Sequence, residues 1–214
     1  MITLTNDENY FVMKTEQEKI LQTAIKEIRI NGYQDMKLTK IANSLKITHT
    51  TIYKYYPDKE GLKRAVIYFE METQLENLKR SLQHRQLSLN DAIYKFLWML
   101  ARIQKEYCTG DPELFLLMKH EYISNSTFRE EQNSSYFKLL RKILEGKHVV
   151  GDTTRFAENI LKTFVTFFAP YFSYEWYSDY YQAKFDALFN FAILNNSELH
   201  NGSQCAESSQ VKII

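Results

Sequence analysis

The chain has 214 residues, 44% apolar and 25% charged, a composition that suits a soluble globular protein and excludes disorder of the whole chain. The first twenty residues carry Asp7, Glu8, Glu16 and Glu18 without a sustained apolar run, so they do not read as a secretory signal. No segment offers the roughly 20 apolar residues needed to span a bilayer, and the expected location is cytoplasmic with no membrane partner. Cys108 and Cys205 are far apart and outside any C-x-x-C pair, which gives neither a disulfide framework nor a metal knuckle; a redox-sensing pair stays open. Net charge is only +1, yet residues 14–64 hold 11 Lys and Arg against 6 Asp and Glu, and the rest of the chain is acidic. A basic N-terminal quarter on an acidic body suits a phosphate-binding head, although a solvated surface with incidental lysines has the same charge count.

In chain order, residues 1–13 read as a flexible arm. From Thr15, the spacing of Leu21, Ala24, Ile25 and Ile28 predicts a helix that stops at Asn31-Gly32. Two short helices follow within Leu38 to Lys59. The first has an apolar stripe of Ile41, Ala42 and Leu45, and the second is led by Thr48 as its cap and closed by Pro57-Asp58. A longer helix carries Leu62, Ala65, Val66 and Phe69, then Leu75, Leu78 and Leu82. Ser88 to Tyr107 is the next helix, broken by Gly110-Asp111-Pro112, and Pro112 to Tyr122 and Phe128 to Leu144 follow it. Gly146 to Thr153 reads as a loop. Helices from Thr154 to Pro170 and from Trp176 to Leu194 end the ordered part, and Asn195 onward is polar and reads as a disordered tail. No strand pattern competes with these helices.

The stretch LTKIANSLKITHTTIYKYYPDK, Leu38 to Lys59, is the most informative part of the chain. Ile41, Ala42 and Leu45 can lock against Ile47 and Ile52 at a steep angle, with Ala42 small at the crossing. The second helix then shows His49, Thr50, Thr51, Tyr53, Lys54 and Tyr55 to solvent, whereas Tyr56 falls behind it as a core residue. From about Thr15 to Arg64 the chain resembles the TetR (tetracycline-repressor) family of one-component transcriptional regulators. The resemblance rests on Gly32-Tyr33 as helix stop, Leu38-Thr39-x-Ile41-Ala42, Thr51-Ile52-Tyr53-x-Tyr55-Tyr56 and Lys59-Glu60-x-Leu62. One position departs from it: Lys46 stands at the turn where this family usually has Gly, and a left-handed backbone there costs on the order of 1 kcal/mol.

The resemblance implies an all-α protein: an N-terminal three-helix helix-turn-helix DNA-binding domain (residues 14–60), then a larger helical ligand-binding and dimerisation domain (61–195) and a tail (196–214). It implies DNA contacts from Thr39, Thr48, His49, Thr50, Thr51, Tyr53, Lys54, Tyr55 and Lys59. Thr48, Tyr53, Tyr55 and Lys59 fall to phosphates, and His49, Thr50, Thr51 and Lys54 to base edges. The implied partners are a second copy of the chain, a palindromic operator in double-stranded DNA and a small-molecule effector, with no cofactor or metal.

The final two helices hold thirteen aromatic residues between Phe164 and Phe191, too many for one core face. The resemblance supplies a second surface, a four-helix dimer interface with candidates Phe164, Phe168, Phe172, Tyr181, Phe185 and Leu188. Candidates for an effector pocket are Phe96, Leu100, Ile103, Tyr107, Phe115, Met118, Tyr122 and Tyr136, joined by Leu97, Trp98, Met99 and Leu140. These suit an apolar or aromatic ligand with a few polar anchors. An enzyme lacks its parts here: there is no phosphate-cradling Gly loop, no H-E-x-x-H and no G-x-S-x-G. Lys119-His120-Glu121 reads as solvated surface. A helical protein-interaction adaptor remains the alternative, with Thr50, Thr51 and Lys54 then exposed to no purpose.

Overall fold

A computed structural model describes residues 6–83, 87–147, 149–168, 181–194 and 200–201. The elements are α1 (Asn6–Asn31), α2 (Leu38–Leu45), α3 (His49–Tyr55), α4 (Lys59–Gln83), α5 (Leu89–Gly110), α6 (Pro112–Ser124), α7 (Ser126–Gly146), β1 (Val149–Val150), α8 (Thr153–Phe168), α9 (Tyr181–Leu194) and β2 (His200–Asn201). Among the described residues the fold is all-helical apart from the two-residue pairing of β1 with β2. Local sequence explains the boundaries. Ser88 accepts from the Asp91 N–H at 3.1 Å and starts α5. Pro112 occupies the first turn of α6, where its missing N–H costs nothing. Asn125 accepts from the Phe128 N–H at 3.1 Å and opens α7. Asp58 accepts from the Gly61 N–H at 2.5 Å and opens α4.

Two apolar clusters fill the described residues. One joins Ile20, Ala24 and Ile28 of α1 to Ile41, Ile52, Leu62 and Val66, and also takes Leu114, Leu117, Met118 and Tyr122 from α6 and Phe128 from α7. The other joins α5, α7, α8 and α9 through Phe96, Leu140, Phe156, Phe164 and Phe185, and takes Leu78 from α4. Along α4, α5 and α7, polar residues mark where one cluster gives way to the other: Glu70 and Gln74, Gln104 and Tyr107, and Gln132. Tyr107 donates to the Glu70 carboxylate across this seam. The Gln74 amide lies beside Tyr107, but both its polar atoms lack a formed hydrogen bond, as does Gln104 Oε1.

Several expectations need correcting. Helix α1 begins at Asn6, inside the stretch read as an arm; residues 1–5 lie outside the described ones. Residues 200–201 pair with Val149–Val150 across the loop after α7, so part of the segment read as tail is in a strand. Of the residues assigned to a dimer surface, four pack inside the single chain. Phe164, Phe168, Tyr181 and Phe185 are buried in the chain's own core and Leu188 is half-buried, while Phe172 lies outside the described residues. The physical reason is ring packing within one chain: Phe185 meets Tyr94, Trp98, Phe164 and Phe167 at centroid distances of 4.9 to 5.5 Å. The eight residues assigned to an effector pocket are closely packed in the structure of the single chain. Phe96, Leu100, Phe115, Met118, Tyr122 and Tyr136 are buried and Ile103 and Tyr107 half-buried, because they fill the space with one another. Tyr136 alone of them borders the cleft of about 370 Å³ between α7 and α8.

The tyrosines make this packing testable by pH. Burial, followed by hydrogen bonds to Glu131 and Asp186, pushes Tyr68 and Tyr94 up to about 12 from 10.0. Burial likewise raises Tyr107, Tyr136 and Tyr181. Since the folded values lie above the unfolded one, the stabilisation is whole below pH 10 and is lost as pH rises through 12. Phenolate absorbance followed together with circular dichroism should show these tyrosines ionising late, in step with helix loss. Ionisation of every tyrosine near its ordinary value in an intact helical protein would contradict the packing.

Candidate nucleic-acid interface

Helices α2 and α3 cross on buried Ile41, Ala42 and Ile52. The turn between them depends on Lys46, whose φ of 54° and ψ of 39° are left-handed. From there the Lys46 and Ile47 N–H groups bond back to the Asn43 and Ala42 carbonyls at 3.2 and 3.0 Å, closing α2. Thr48 is extended and its hydroxyl accepts from the Thr51 N–H at 3.2 Å, which starts α3. Tyr56 is buried behind the helix, and burial with the neighbouring Tyr55 pushes it up to about 12. Only Ile52 of α3 is fully buried, so the helix is held by one side and presents the others.

All nine residues expected at DNA lie at or near the surface. Thr39, Thr48, Thr50, Tyr53 and Lys54 are exposed, and His49, Thr51, Tyr55 and Lys59 are half-buried. They are not equally free. The Thr51 and Thr48 hydroxyls are 3.1 Å apart, so Thr51 contributes to the cap as well as to the face. His49 and Tyr53, one turn apart, meet edge to face at 6.4 Å. Lys59 donates to the Gln34 carbonyl at 2.7 Å and is thereby held at the start of α4, with two ammonium protons left for a phosphate. Tyr55 donates to Glu16 of α1 at 2.6 Å, and that bond, followed by burial, raises its phenol above the ordinary value.

Glu16 had no signal in the sequence as a partner of the second short helix, 39 positions away. The link between head and body had none either. Arg29 at the end of α1 pairs with Asp111 at 2.5 Å, and the Tyr33 N–H donates to Glu113 Oε2 at 3.2 Å. Gly32, at φ of 86°, leaves that carboxylate room: a Cβ there would come within 3.2 Å of it. The start of α6 therefore grips the end of α1. Among the described residues no group of His, Cys, Asp and Glu is placed to hold a metal ion, and no helix is long and apolar enough to cross a membrane.

Residues 20–66 match the family described as bacterial regulatory proteins, tetR family. That segment, which holds α2 and α3, is a tetR-family DNA-binding segment. The chain therefore carries the DNA-binding part of a transcriptional regulator. Solved structures agree on the fold of the chain. A TetR-family regulator from Pectobacterium atrosepticum is 17% identical, with a TM-score of 0.59 over 92% of this chain and 98% of its own. The fatty acid degradation regulator FadR from Bacillus halodurans is 19% identical, with a TM-score of 0.56 over 82% of this chain and 97% of its own. FadR from Bacillus subtilis, solved in complex with stearoyl-CoA, is also 19% identical at a TM-score of 0.56, over 86% and 99%. A search of curated protein sequences found no match.

Two outcomes follow from this geometry. Glu16→Gln removes a negative charge from beside Tyr55, and DNA affinity at low salt should rise roughly threefold to tenfold per head. A fluorescence-anisotropy titration showing equal or weaker binding would mean that Tyr55 faces away from the duplex. Lys46→Gly relieves the left-handed strain but loosens the unfolded chain, and should leave a net gain of up to about 1 kcal/mol in denaturant unfolding. A clear loss of stability would show that the turn is not strained.

Proposed function

We propose that this regulator acts as a symmetric dimer that occupies a palindromic operator as a repressor and leaves it when a small apolar or aromatic molecule enters the body. The observation that carries the DNA half is the single buried residue of α3, Ile52, with Thr50, Tyr53 and Lys54 directed outward. In this reading, His49, Thr50, Thr51 and Lys54 meet base edges in the major groove. Thr39, Thr48, Tyr53, Tyr55 and Lys59 hold the backbone. Tyr55 exchanges Glu16 for a phosphate on binding. Two heads are needed because one makes few phosphate contacts, and a two-fold dimer places them on matching half-sites. A division of the chain into a head of residues 14–60 and a body of 61–195 belongs to the same reading, with α6 of the body completing the apolar packing of the head.

The effector half is supported by the polar seam. A buried amide with both polar atoms unpartnered is costly, on the order of 1–3 kcal/mol per group, unless something hydrogen-bonds it in another state. Gln74 is such a group, Gln104 leaves its Oε1 unpartnered, and Tyr107, Tyr122 and Tyr136 lie with them among Phe96, Leu100, Ile103, Phe115 and Met118. A ligand that parts these side chains gains amide and phenol partners inside an apolar setting. It also acts where the two apolar clusters meet, so it can shift α4 and α6 against the head. The stearoyl-CoA bound to the Bacillus subtilis protein is one instance of a long apolar molecule with a polar end in this fold.

The test is binding to operator fragments recovered by selection from genomic DNA. Affinity should fall roughly 10³–10⁵-fold between 50 and 200 mM salt for ~6–10 phosphate contacts. Lys59→Ala should weaken every sequence alike, whereas Thr50→Ala should change the preferred base at one position per half-site. Affinity flat across that salt range, or identical losses on all sequences for both variants, would overturn the assignment of contacts. An effector should raise the melting temperature and lower operator affinity together; a ligand doing only the first is a passenger.

A further inference from the structure

A second pocket, of about 300 Å³, opens at the end of the body where α4 finishes, α5 begins and α7 finishes. That volume is at the small end of the range for ligand sites, about 300–1,000 Å³. Its floor is apolar: Leu82 from α4, Leu87 before α5, Ala92 from α5, and Leu139 and Ile143 from α7. Its rim is cationic, with Lys79, Lys142 and Lys147 and no carboxylate among the lining residues. The acids nearest in sequence are already engaged. Glu76 stands 3.5 Å from Lys79, Glu145 bonds Arg141 at 2.8 Å, and Asp91 is tied to Ser88. Lys147 donates to the Leu87 carbonyl, which fastens the α4–α5 connection to α7 and fixes one wall. Lys142 is exposed at the mouth.

We propose that this pocket binds a medium-chain carboxylate, its apolar chain on Leu82, Leu139 and Ile143 and its carboxylate at Lys79 and Lys142. Charge and polarity both select for that class: a neutral alkyl chain leaves Lys142 and Lys147 without a counter-charge and Lys79 with only Glu76 at 3.5 Å, and a purely polar anion leaves the floor wet. The rival account of the lysines is local. They sit near the ends of α4 and α7, where cations offset the terminal carbonyls, and need no ligand. The site is separate from the polar seam and does not rest on the effector reading. Its wall is nevertheless the last turn of α4, the helix of about 37 Å that begins just after the reading helix.

Isothermal titration of the full chain with decanoate and with decanol, at neutral pH and below the micelle concentration, decides between these accounts. Decanoate should bind at least tenfold more tightly than decanol, and Lys142→Glu, an exposed change that leaves melting unaltered, should weaken decanoate roughly tenfold. Lys162→Glu makes the same change of net charge at the α7/α8 cleft and should leave decanoate binding as it was. Ala92→Phe, which fills the floor, should abolish binding of decanoate while the protein still melts cooperatively. Equal binding of decanoate and decanol, equal losses from the two charge reversals, or no binding to the unaltered chain would each overturn the proposal.

Discussion

Helix α4 belongs to both apolar cores, and the rest of the molecule depends on that sharing. Leu62, Val66, Ile67 and Met71 pack with the head, and Leu78 with the body, while Glu70 and Gln74 lie between them. A continuous helix of 25 residues cannot move in one core without loading the other. Helix α6 adds a second tie, since its inner face is part of the head's packing and its first turn holds Arg29 and Tyr33 through Asp111 and Glu113.

The reading helix is positioned by few contacts, each with a clear physical role. Burial of Ile52 against Ile41 and Ala42 supplies the hold, the left-handed Lys46 sets the angle, and the Thr48 hydroxyl starts the helix. Apart from the Thr48 and Thr51 hydroxyls, nothing in this arrangement requires the outward side chains, which leaves them open to a partner. The free head is nonetheless pre-arranged. Lys59 is held to the Gln34 carbonyl and Tyr55 to Glu16, so of the two proposed phosphate contacts one is already placed and the other must first give up an internal partner. An acidic group beside the proposed DNA face weakens binding to any sequence, which favours discrimination over raw affinity.

Much of this was legible in the sequence because the information is local. Helical periodicity, the breaks at Gly32 and Gly110-Asp111-Pro112, the Thr48 cap and the burial of Tyr56 all concern residues within a few turns of one another, and the chain alone specified them. The strain at Lys46 was legible for the same reason: its place in the turn called for a left-handed backbone, and the side chain there is not glycine. Fold class followed from those patterns together with the resemblance they carry.

What the tertiary structure decided concerns pairs far apart in the chain. Aromatic density between Phe164 and Phe191 told that those helices are packed on more than one side, but not against what. The rings of α8 and α9 close on Tyr94 and Trp98 of α5, which no count of aromatics could indicate. Glu16 with Tyr55, Arg29 with Asp111, and the meeting of Gln74, Gln104 and Tyr107 likewise arise only when helices are set side by side. Period and composition fix which face of a helix is apolar; the crossing angles and neighbours that decide what that face touches depend on the whole chain folding at once.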